Sequence, residues 1–310
     1  MQKIIVTLLL LIISIGIIPT NAQQSDVTIP TDALRWDGAS RFNVLILGMD
    51  RRPGARNNLN ARTDAIMLVS FDPQTKTLGI LDIPRDMHMA ILEIDEEMVR
   101  VNTLLVRGES RAEGFGPYYA MQTIQLNFGM YIDAYIAFDF VAFIEFIDAI
   151  GGITVDVPVT INDPNFPDMN YGYAPLLIRR GINNFDGRTA LSYARTRHND
   201  NDYLRGQRQL DVVMAVRDRL SEASALADLV QNAPQLFDAL SSNFYTNIAY
   251  EDIVRLGLGM VRLDAEDITS GSLNEQYSFT YRYRGERVRV PDRELLSQLL
   301  VETFGEEYWR

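Results

Sequence analysis

The sequence contains no cysteine and, among its 310 residues, only two histidines, His88 and His198, which are far apart. The absence of cysteine excludes disulfides, thiol nucleophiles and cysteine-ligated zinc, and two distant histidines argue against a histidine-rich metal site. Walker-type phosphate loops, GxSxG serine nucleophiles and glycine-rich dinucleotide fingerprints are missing as well. The chain therefore lacks the signatures of several common enzyme classes.

Lysine is also scarce, and the overall charge is negative. Lys3 and Lys76 are the two lysines, so 27 of the 29 basic residues are arginine, while the formal net charge is −12. Proteins that bind nucleic acid are usually basic over a broad face, so nucleic acid is not expected as a partner. Arginine binds phosphate through paired hydrogen bonds and stays charged when partly buried. Codon bias in an arginine-rich genome is the alternative explanation for most of these arginines, and composition alone does not separate the two explanations. Any anion site in this chain must be local.

The N-terminus resembles an export segment. A short positive start leads into the apolar run IIVTLLLLIISIGII, and small residues follow up to Ala22. The run is short for a membrane span of about 20 apolar residues, so residues 1–22 are predicted to be a signal peptide or a membrane anchor. Either alternative places the rest of the chain outside the cytoplasm, secreted or anchored at the outer face of the membrane. Residues 23–40 are polar and are predicted to be a linker.

Strand and helix patterns alternate along the remainder, which predicts a single α/β layered domain over residues 41–310. FNVLILG (42–48) is typical of a strand buried on both faces, and 65–71 and 77–83 are predicted to form a hairpin. In the middle of the chain, the patterns predict a helix that stops at Gly129, a helix over 137–150, a strand over 153–159 and a loop over 160–180. A helix is predicted from about 205 past 220, with further helical segments at 226–240 and 250–262. The C-terminal part is predicted to contain a hairpin from 277 to about 290 and a final helix that Asp292 caps.

Charged residues follow or precede the first three predicted strands. They are Asp50, Arg62, Asp64, Arg85 and Asp86. Because ligands of α/β sheets tend to bind at strand ends, we expect these side chains to share one edge of the sheet. Mg²⁺ is typically held by one or two protein carboxylates together with phosphate oxygens, and arginines neutralise the remaining phosphate charge. The alternative is a surface ion-pair network, which would contribute little energy.

A second arginine cluster lies in LSYARTRHNDNDYLRGQRQ (191–209). If Arg195 and Arg197 are on an extended segment, their spacing of two directs both side chains to one side. If the following segment is helical, Arg205 and Gln209 share a face at i and i+4. The alternative is a solvated helix start with ordinary charge pairs.

Taken together, these segments resemble the LytR-CpsA-Psr family of cell-envelope proteins. The resemblance rests on FNVLILGMDRR (42–52), ARTDAIMLVSFDPQTKTLGILDIPRD (61–86), RVNTLL (100–105), YIDAYIAFDFVAFIEFIDAIGGITVDVP (131–158) and GINNFDGRTALSYARTRHNDNDYLRGQRQ (181–209), in that order. It implies a three-layer α/β/α sandwich with a mixed central sheet. It also implies an Mg²⁺-dependent phosphotransferase that moves a glycopolymer from a polyprenyl-pyrophosphate carrier to a hydroxyl of peptidoglycan.

The resemblance also assigns roles to individual residues. Asp50 and Asp64 match the metal-associated aspartates, and Asp86 matches an aspartate that orients its neighbouring arginine. Asp64, Arg85 and Asp86 are therefore the expected catalytic residues. The positions expected to bind the pyrophosphate are Arg62, Arg85, Arg195, Arg197, Arg205 and Gln209. Two alternatives share this site: a pyrophosphatase that uses water as the acceptor, and a non-catalytic envelope protein that binds prenyl phosphates.

Overall fold

A computed structural model describes residues 29–30, 32–51, 58–91, 97–169, 172–196, 202–222, 225 and 242–309. The predicted signal peptide or anchor, the predicted helix over 226–240, Arg197 and His198 lie outside the described residues. None of the helices in these ranges has the length and hydropathy needed to cross a membrane.

The described chain alternates between strands and helices. The strands are β1 (Phe42–Met49), β2 (Thr63–Asp72), β3 (Thr77–Asp82), β4 (His88–Ala90), β5 (Met98–Arg100), β6 (Ala134–Phe138), β7 (Ile153–Val157), β8 (Ile161–Pro167), β9 (Tyr173–Ile178), β10 (Gly181–Phe185), β11 (Phe244–Thr246), β12 (Ile268–Ser272), β13 (Ser278–Tyr283) and β14 (Glu286–Pro291). The α-helices are α1 (Leu104–Glu109), α2 (Gly116–Phe128), α3 (Phe140–Ala149), α4 (Gly187–Arg195), α5 (Asp202–Ser221), α6 (Tyr250–Val261) and α7 (Arg293–Phe304).

A six-stranded sheet forms the centre of the molecule, in the order β11-β6-β1-β2-β3-β12. β1 pairs antiparallel with β2 and parallel with β6, and β3 pairs antiparallel with β2 and parallel with β12. β1 lies in the middle of the sheet and is buried along almost its whole length, as its continuous apolar sequence predicts. The sheet is therefore mixed, as expected.

Successive side chains of the central strands point to opposite faces, and each face packs against helices. Leu45 and Leu47 of β1 belong to a core cluster with residues of α2 and α7. Val44 belongs to a second cluster that contains residues of α5 and α6. The fold is thus the three-layer α/β/α sandwich that the family resemblance implies. Trp36, within the segment predicted as a linker, is buried in the second cluster.

Several predicted elements are confirmed at their predicted positions. β2 and β3 form the expected hairpin, and α2 ends at Gly129, which adopts a left-handed conformation with a φ of 65°. The β13–β14 hairpin follows the predicted boundaries closely. Asp292 caps α7 by accepting hydrogen bonds from the backbone amides of Glu294 and Leu295.

The helix predicted over 137–150 is wrong at its start. Ala137 and Phe138 are the last residues of β6, and the helix begins only at Phe140. Asp139 separates the two elements because its side chain accepts hydrogen bonds from the amides of Val141 and Ala142. An N-cap residue has a non-helical backbone, so the apolar run that looked continuous contains a strand, a cap and a helix.

The loop predicted over 160–180 is also wrong, because β8 and β9 form an antiparallel pair there. Proline and asparagine are abundant in this segment and suggested a loop. The pair is a separate two-stranded sheet with a register shift between Asp163 and Phe166, and strands with free edges and irregular pairing tolerate proline. The proline and asparagine content of this segment is therefore compatible with strands, because they pair as a separate two-stranded ribbon.

Candidate functional site

One edge of the central sheet gathers the charged residues singled out in the sequence. The ends of β1 and β3 and the beginning of β2 meet at this edge, because β2 runs antiparallel to both of its neighbours. Gly48 pairs with Ala65, whereas Met49 pairs with Thr63, so Asp64 is an extra residue in the ladder. Such bulges redirect a side chain and are common next to active sites. The bulge places the Asp64 carboxylate off the regular alternation of the strand.

The residues around Arg85 form a continuous chain of opposite charges, which we call the Arg85 cluster: Asp64, Arg85, Asp86 and Arg100. The Arg85 guanidinium donates a hydrogen bond to the Asp64 carboxylate, and the side chains of both residues are 20% exposed. Arg85 Nε lies 3.8 Å from Asp86 Oδ2, and Arg100 Nη1 lies 3.5 Å from Asp86 Oδ1. The three predicted catalytic residues are therefore brought together, with Arg85 between two carboxylates.

Asp50 and Arg62 lie at the same corner of the sheet. The backbone amide of Asp50 donates a hydrogen bond of 2.8 Å to the carbonyl of Arg62, and both residues are exposed. Asp50 and Asp64 are thus carboxylates at neighbouring strand ends. Among the described residues, no three histidine, aspartate or glutamate side chains cluster as a self-contained metal site. Mg²⁺ can bind through one or two protein carboxylates when water and substrate phosphates supply its other ligands, so the magnesium site expected at Asp50 and Asp64 stays a prediction.

Arg51 is buried, with an exposed fraction of 4%, and holds this corner together. Its Nε donates to Asp139 Oδ2 at 2.8 Å, and its Nη atoms donate to the carbonyls of Asn58 and Ser242 and to the Tyr245 hydroxyl, each at 3.0 Å. Asp139 is also the cap of α3. Arg51 therefore joins the end of β1 to the beginning of α3 and to the segment that leads into β11.

The second arginine cluster joins two helices. Arg195 is the last residue of α4, so the condition of an extended segment, under which Arg195 and Arg197 would point to one side, is not met at Arg195. Asp186 caps the beginning of α4, and the helix continues through Arg195 to Thr196, whose ψ is 145°. Arg208 Nε donates to the Tyr193 carbonyl at 3.0 Å, and Gln209 Nε2 donates to the Ala194 carbonyl at 3.4 Å. α5 thereby fixes the C-terminal end of α4.

The Arg195 side chain is held by apolar groups on its flanks. Its guanidinium carbon lies 4.3 Å from the centre of the Phe140 ring and 5.6 Å from that of Phe166. The guanidinium also contacts the Met169 sulfur at 3.7 Å. Stacking on aromatic faces orients the guanidinium of an arginine.

The N-terminal part of α5 meets the end of β3. Arg205 is 3% exposed, and a Cβ on the next residue, Gly206, would lie 2.2 Å from Asp82 Oδ2. Asp82 is buried and accepts a hydrogen bond of 2.9 Å from the Ser272 hydroxyl at the end of β12. This close approach requires glycine at position 206. Arg205 is thereby fixed next to the same sheet edge that carries the Arg85 cluster.

His88 borders the Arg85 cluster on β4. Its Nδ1 lies 3.2 Å from the Asp86 carbonyl oxygen. Burial lowers the pKa of His88 below its usual value, and the nearby positive charge of Arg100 lowers it further. His88 is therefore neutral at neutral pH and adds no positive charge to the edge.

Four residues of this edge were not among the predicted site residues: Arg51, Asp82, Arg100 and Asp139. The sequence contains a signal for two of them. Asp139 precedes an apolar helical pattern, which is typical of an N-cap, and Asp82 is a charge at the end of an otherwise apolar strand. Nothing in the sequence indicated the long-range partners of Arg51 and Arg100.

Comparisons with known proteins agree with this architecture. The chain is 27% identical over 250 residues to the polyisoprenyl-teichoic acid–peptidoglycan teichoic acid transferase TagV of Bacillus subtilis. The alignment covers 78% of this chain and 60% of TagV. It is 29% identical over 224 residues to TagT of the same organism, a transferase of the same description. This alignment covers 71% of this chain and 64% of TagT. The aligned part is thus less than two thirds of either relative.

Solved structures show the same fold. The crystal structure of B. subtilis TagV superposes with a TM-score of 0.64 at 24% identity and covers 85% of this chain and 98% of that chain. A structure of TagT bound to LIIa-WTA superposes equally well, with a TM-score of 0.64 at 24% identity over 87% of this chain and 94% of that chain. The sequence model of the LytR_cpsA_psr family matches residues 19–301. The chain therefore belongs to the LytR-CpsA-Psr family.

Proposed function

We propose that the protein is an extracytoplasmic phosphotransferase that moves a glycopolymer from a polyprenyl-pyrophosphate carrier to a hydroxyl of peptidoglycan. Support comes from the family, whose relatives TagV and TagT are described as polyisoprenyl-teichoic acid–peptidoglycan transferases. The single observation that carries the proposal is the Arg85 cluster, in which a guanidinium lies between two carboxylates at a bulged sheet edge. A pyrophosphate needs both fixed cations and a metal-binding carboxylate.

In the proposed reaction, the oxygen of an acceptor hydroxyl attacks the phosphorus that carries the sugar. A new P–O bond forms, the bridging P–O bond of the pyrophosphate breaks, and polyprenyl phosphate leaves. The hydroxyl proton passes to a carboxylate, and Asp64 and Asp86 are the two candidates because both border Arg85. The protein contributes mainly orientation and charge stabilisation, as is usual for phosphoryl transfer.

The arginines would hold the pyrophosphate oxygens through paired hydrogen bonds. Arg85 and Arg62 would approach from the sheet edge, Arg195 from the end of α4, and Arg205 with Gln209 from α5. Arg197 is a further proposed ligand on the basis of the family pattern alone. Asp50 and Asp64 would hold Mg²⁺, which neutralises charge that develops on the phosphate oxygens. The N-terminal 22 residues would export the chain or anchor it at the outer face of the membrane.

The proposal is tested with purified protein, a polyprenyl-pyrophosphate-linked oligosaccharide and peptidoglycan fragments, with products identified by mass spectrometry. Arg85→Met and Arg205→Met should each weaken binding of the lipid pyrophosphate and abolish transfer. Arg179→Met, an exposed arginine after β9, is the matched control and should transfer at the wild-type rate. Wild-type transfer by both Arg85→Met and Arg205→Met would overturn the site assignment.

The same assay separates the two alternatives. A pyrophosphatase would cleave the donor at the same rate whether or not peptidoglycan fragments are present, and it would release a sugar phosphate. A binding protein would retain the lipid without turnover and without dependence on Mg²⁺. Transfer requires instead that the loss of donor matches the gain of modified acceptor.

A further inference from the structure

A two-stranded ribbon formed by β13 and β14 carries arginines on one face. Arg284 and Gly285 form its turn, both with positive φ, and the register pairs Arg282 with Arg287 and Thr280 with Arg289. Side chains of directly paired residues point to the same face of a ribbon. Arg282, Arg287 and Arg289 therefore share one face, which we call the arginine face.

The arginine face is electrostatically unfavourable as it stands. Arg282 and Arg287 lie directly opposite each other, and like charges in such a pair are destabilising. Arg289 pairs with Glu275 at 3.2 Å, but among the described residues no carboxylate or other acceptor pairs with the Arg282 or Arg287 side chain. Both are exposed, in a chain whose net charge is −12. A bound anion would offset this repulsion.

The ribbon adjoins the Arg85 cluster. Arg289 forms a backbone bridge with Met87, which follows Asp86 directly in the chain. The amide of Met98 donates to the Tyr283 hydroxyl at 3.2 Å, and Glu286 is close enough to act electrostatically on His88. The arginine face thus begins beside the residues proposed to bind the pyrophosphate and leads outward from them.

We propose that the arginine face binds anionic groups of the glycopolymer, such as phosphodiesters or carboxylates, as the polymer leaves the pyrophosphate site. This proposal rests on the proposed function and extends it to the charge of the donor. Residues on one face of a strand repeat about every 7 Å, so the face offers a row of guanidinium groups and suits successive charges of an extended chain. A single small anion would leave the outer arginines unneutralised.

The distribution of aromatic residues favours a polymer over a bilayer. Phe279 and Tyr281 are each 47% exposed, but they share the opposite face of the ribbon with the buried Val288 and Val290. Proteins that bind anionic membranes place aromatic and cationic groups where both reach the interface together. In this ribbon the arginines and the aromatic residues lie on opposite faces, so a flat membrane surface cannot contact both at once. The arginines would therefore bind an anion without help from the aromatic residues.

A binding experiment tests the arginine face directly. The double variant Arg282→Gln/Arg287→Gln is compared with wild type, and Arg179→Gln/Arg180→Gln, which removes the same charge from another exposed site, is the control. Poly(glycerol phosphate) is the anionic probe and dextran is the neutral one. We expect the Kd for poly(glycerol phosphate) to rise about fivefold in the ribbon variant. The salt dependence of binding should also fall, whereas the control should stay within about twofold of wild type.

Two results would overturn the proposal. One is unchanged binding of poly(glycerol phosphate) by the ribbon variant. The other is a loss confined to vesicles of anionic phospholipid, which would assign the arginines to the bilayer. The folded state is checked by thermal unfolding, and removal of the like-charge pair should leave the melting temperature equal to or above that of wild type. A lower melting temperature would contradict the inferred repulsion and, with it, the proposal.

Turnover separates this proposal from the proposed function. With a donor that carries a short neutral oligosaccharide, the ribbon variant should match wild type in kcat and KM. With a donor that carries a long anionic polymer, its KM should rise several-fold. If wild type transfers neither donor, the proposed function fails, and the binding experiment alone decides the arginine face. If the variant has the wild-type KM for both donors, the arginine face plays no part in donor recognition.

Discussion

Gly206→Ala is the substitution whose effect follows most directly from the geometry. The new methyl group would lie 2.2 Å from Asp82 Oδ2 and 2.8 Å from Asp82 Cγ, whereas ordinary contacts are 3.4–4 Å. Asp82 is 3% exposed and bonded to the Ser272 hydroxyl, so its side chain cannot turn away without the loss of that hydrogen bond. The beginning of α5 must therefore move by about 1 Å, and Arg205 moves with it.

Two opposing terms set the effect on stability. Overpacking of a buried site costs about 1–3 kcal/mol, and replacement of glycine by alanine inside a helix contributes about 1 kcal/mol of stability. The net loss in the free energy of unfolding should therefore be small, about 0–2 kcal/mol. The effect on transfer should be larger, because a displacement of about 1 Å in a binding group can cost about 100-fold in rate.

Urea unfolding and the transfer assay measure the two effects separately. Gly257→Ala in α6 is the matched control, because a Cβ at that position would meet no atom within 4 Å other than its chain neighbours and the backbone of its own helix. It should raise the free energy of unfolding by up to about 1 kcal/mol and leave transfer unchanged. Wild-type transfer and wild-type lipid binding by Gly206→Ala would refute the claim that this contact positions Arg205.

Three further perturbations follow from the structure. Arg51→Met leaves the buried Asp139 carboxylate without its counter-charge, so the free energy of unfolding, measured by urea unfolding, should fall by about 3–5 kcal/mol. A loss below about 1 kcal/mol would contradict this expectation. The folded protein lowers the pKa of His88, so protonation favours the unfolded state, and the part of the stability that depends on His88 should fall as the pH drops below about 6.5. His88→Gln should remove that part, as thermal unfolding from pH 5 to 7.5 would reveal. Chelation with EDTA should reduce transfer on the order of 100-fold and added Mg²⁺ should restore it, while Asp64→Asn should raise the Mg²⁺ concentration required.

The layers of the fold follow from local patterns, and this is why they could be predicted. Every residue of FNVLILG except Asn43 is apolar, which is typical of a strand covered on both faces, and β1 is indeed central to the sheet. β6 was missed because its apolar residues continue into α3, and the single residue that separates them, Asp139, does so through hydrogen bonds made by its side chain. Periodicity alone does not register a cap inside an apolar run.

The site was predictable only in part, for a related reason. Asp64, Arg85 and Asp86 lie at the ends of a hairpin, so their proximity follows from β2 and β3 being adjacent in the chain. Arg100 joins the same cluster through β5, a strand of three residues that pairs with β4. The contact between Gly206 and Asp82 depends on how α5 packs on the sheet. Such packing is set by side chains far apart in sequence, and no local pattern records it.

The origin of the oxygen atoms in the products shows most directly whether the protein transfers a phosphoryl group to a sugar hydroxyl or to water. The wild-type protein is incubated with donor and peptidoglycan fragments in water enriched in ¹⁸O, and the masses of the products are measured by mass spectrometry. One polyprenyl monophosphate should form for each modified acceptor, and the new phosphodiester should contain no ¹⁸O. A sugar phosphate that carries ¹⁸O, without any modified acceptor, would contradict it.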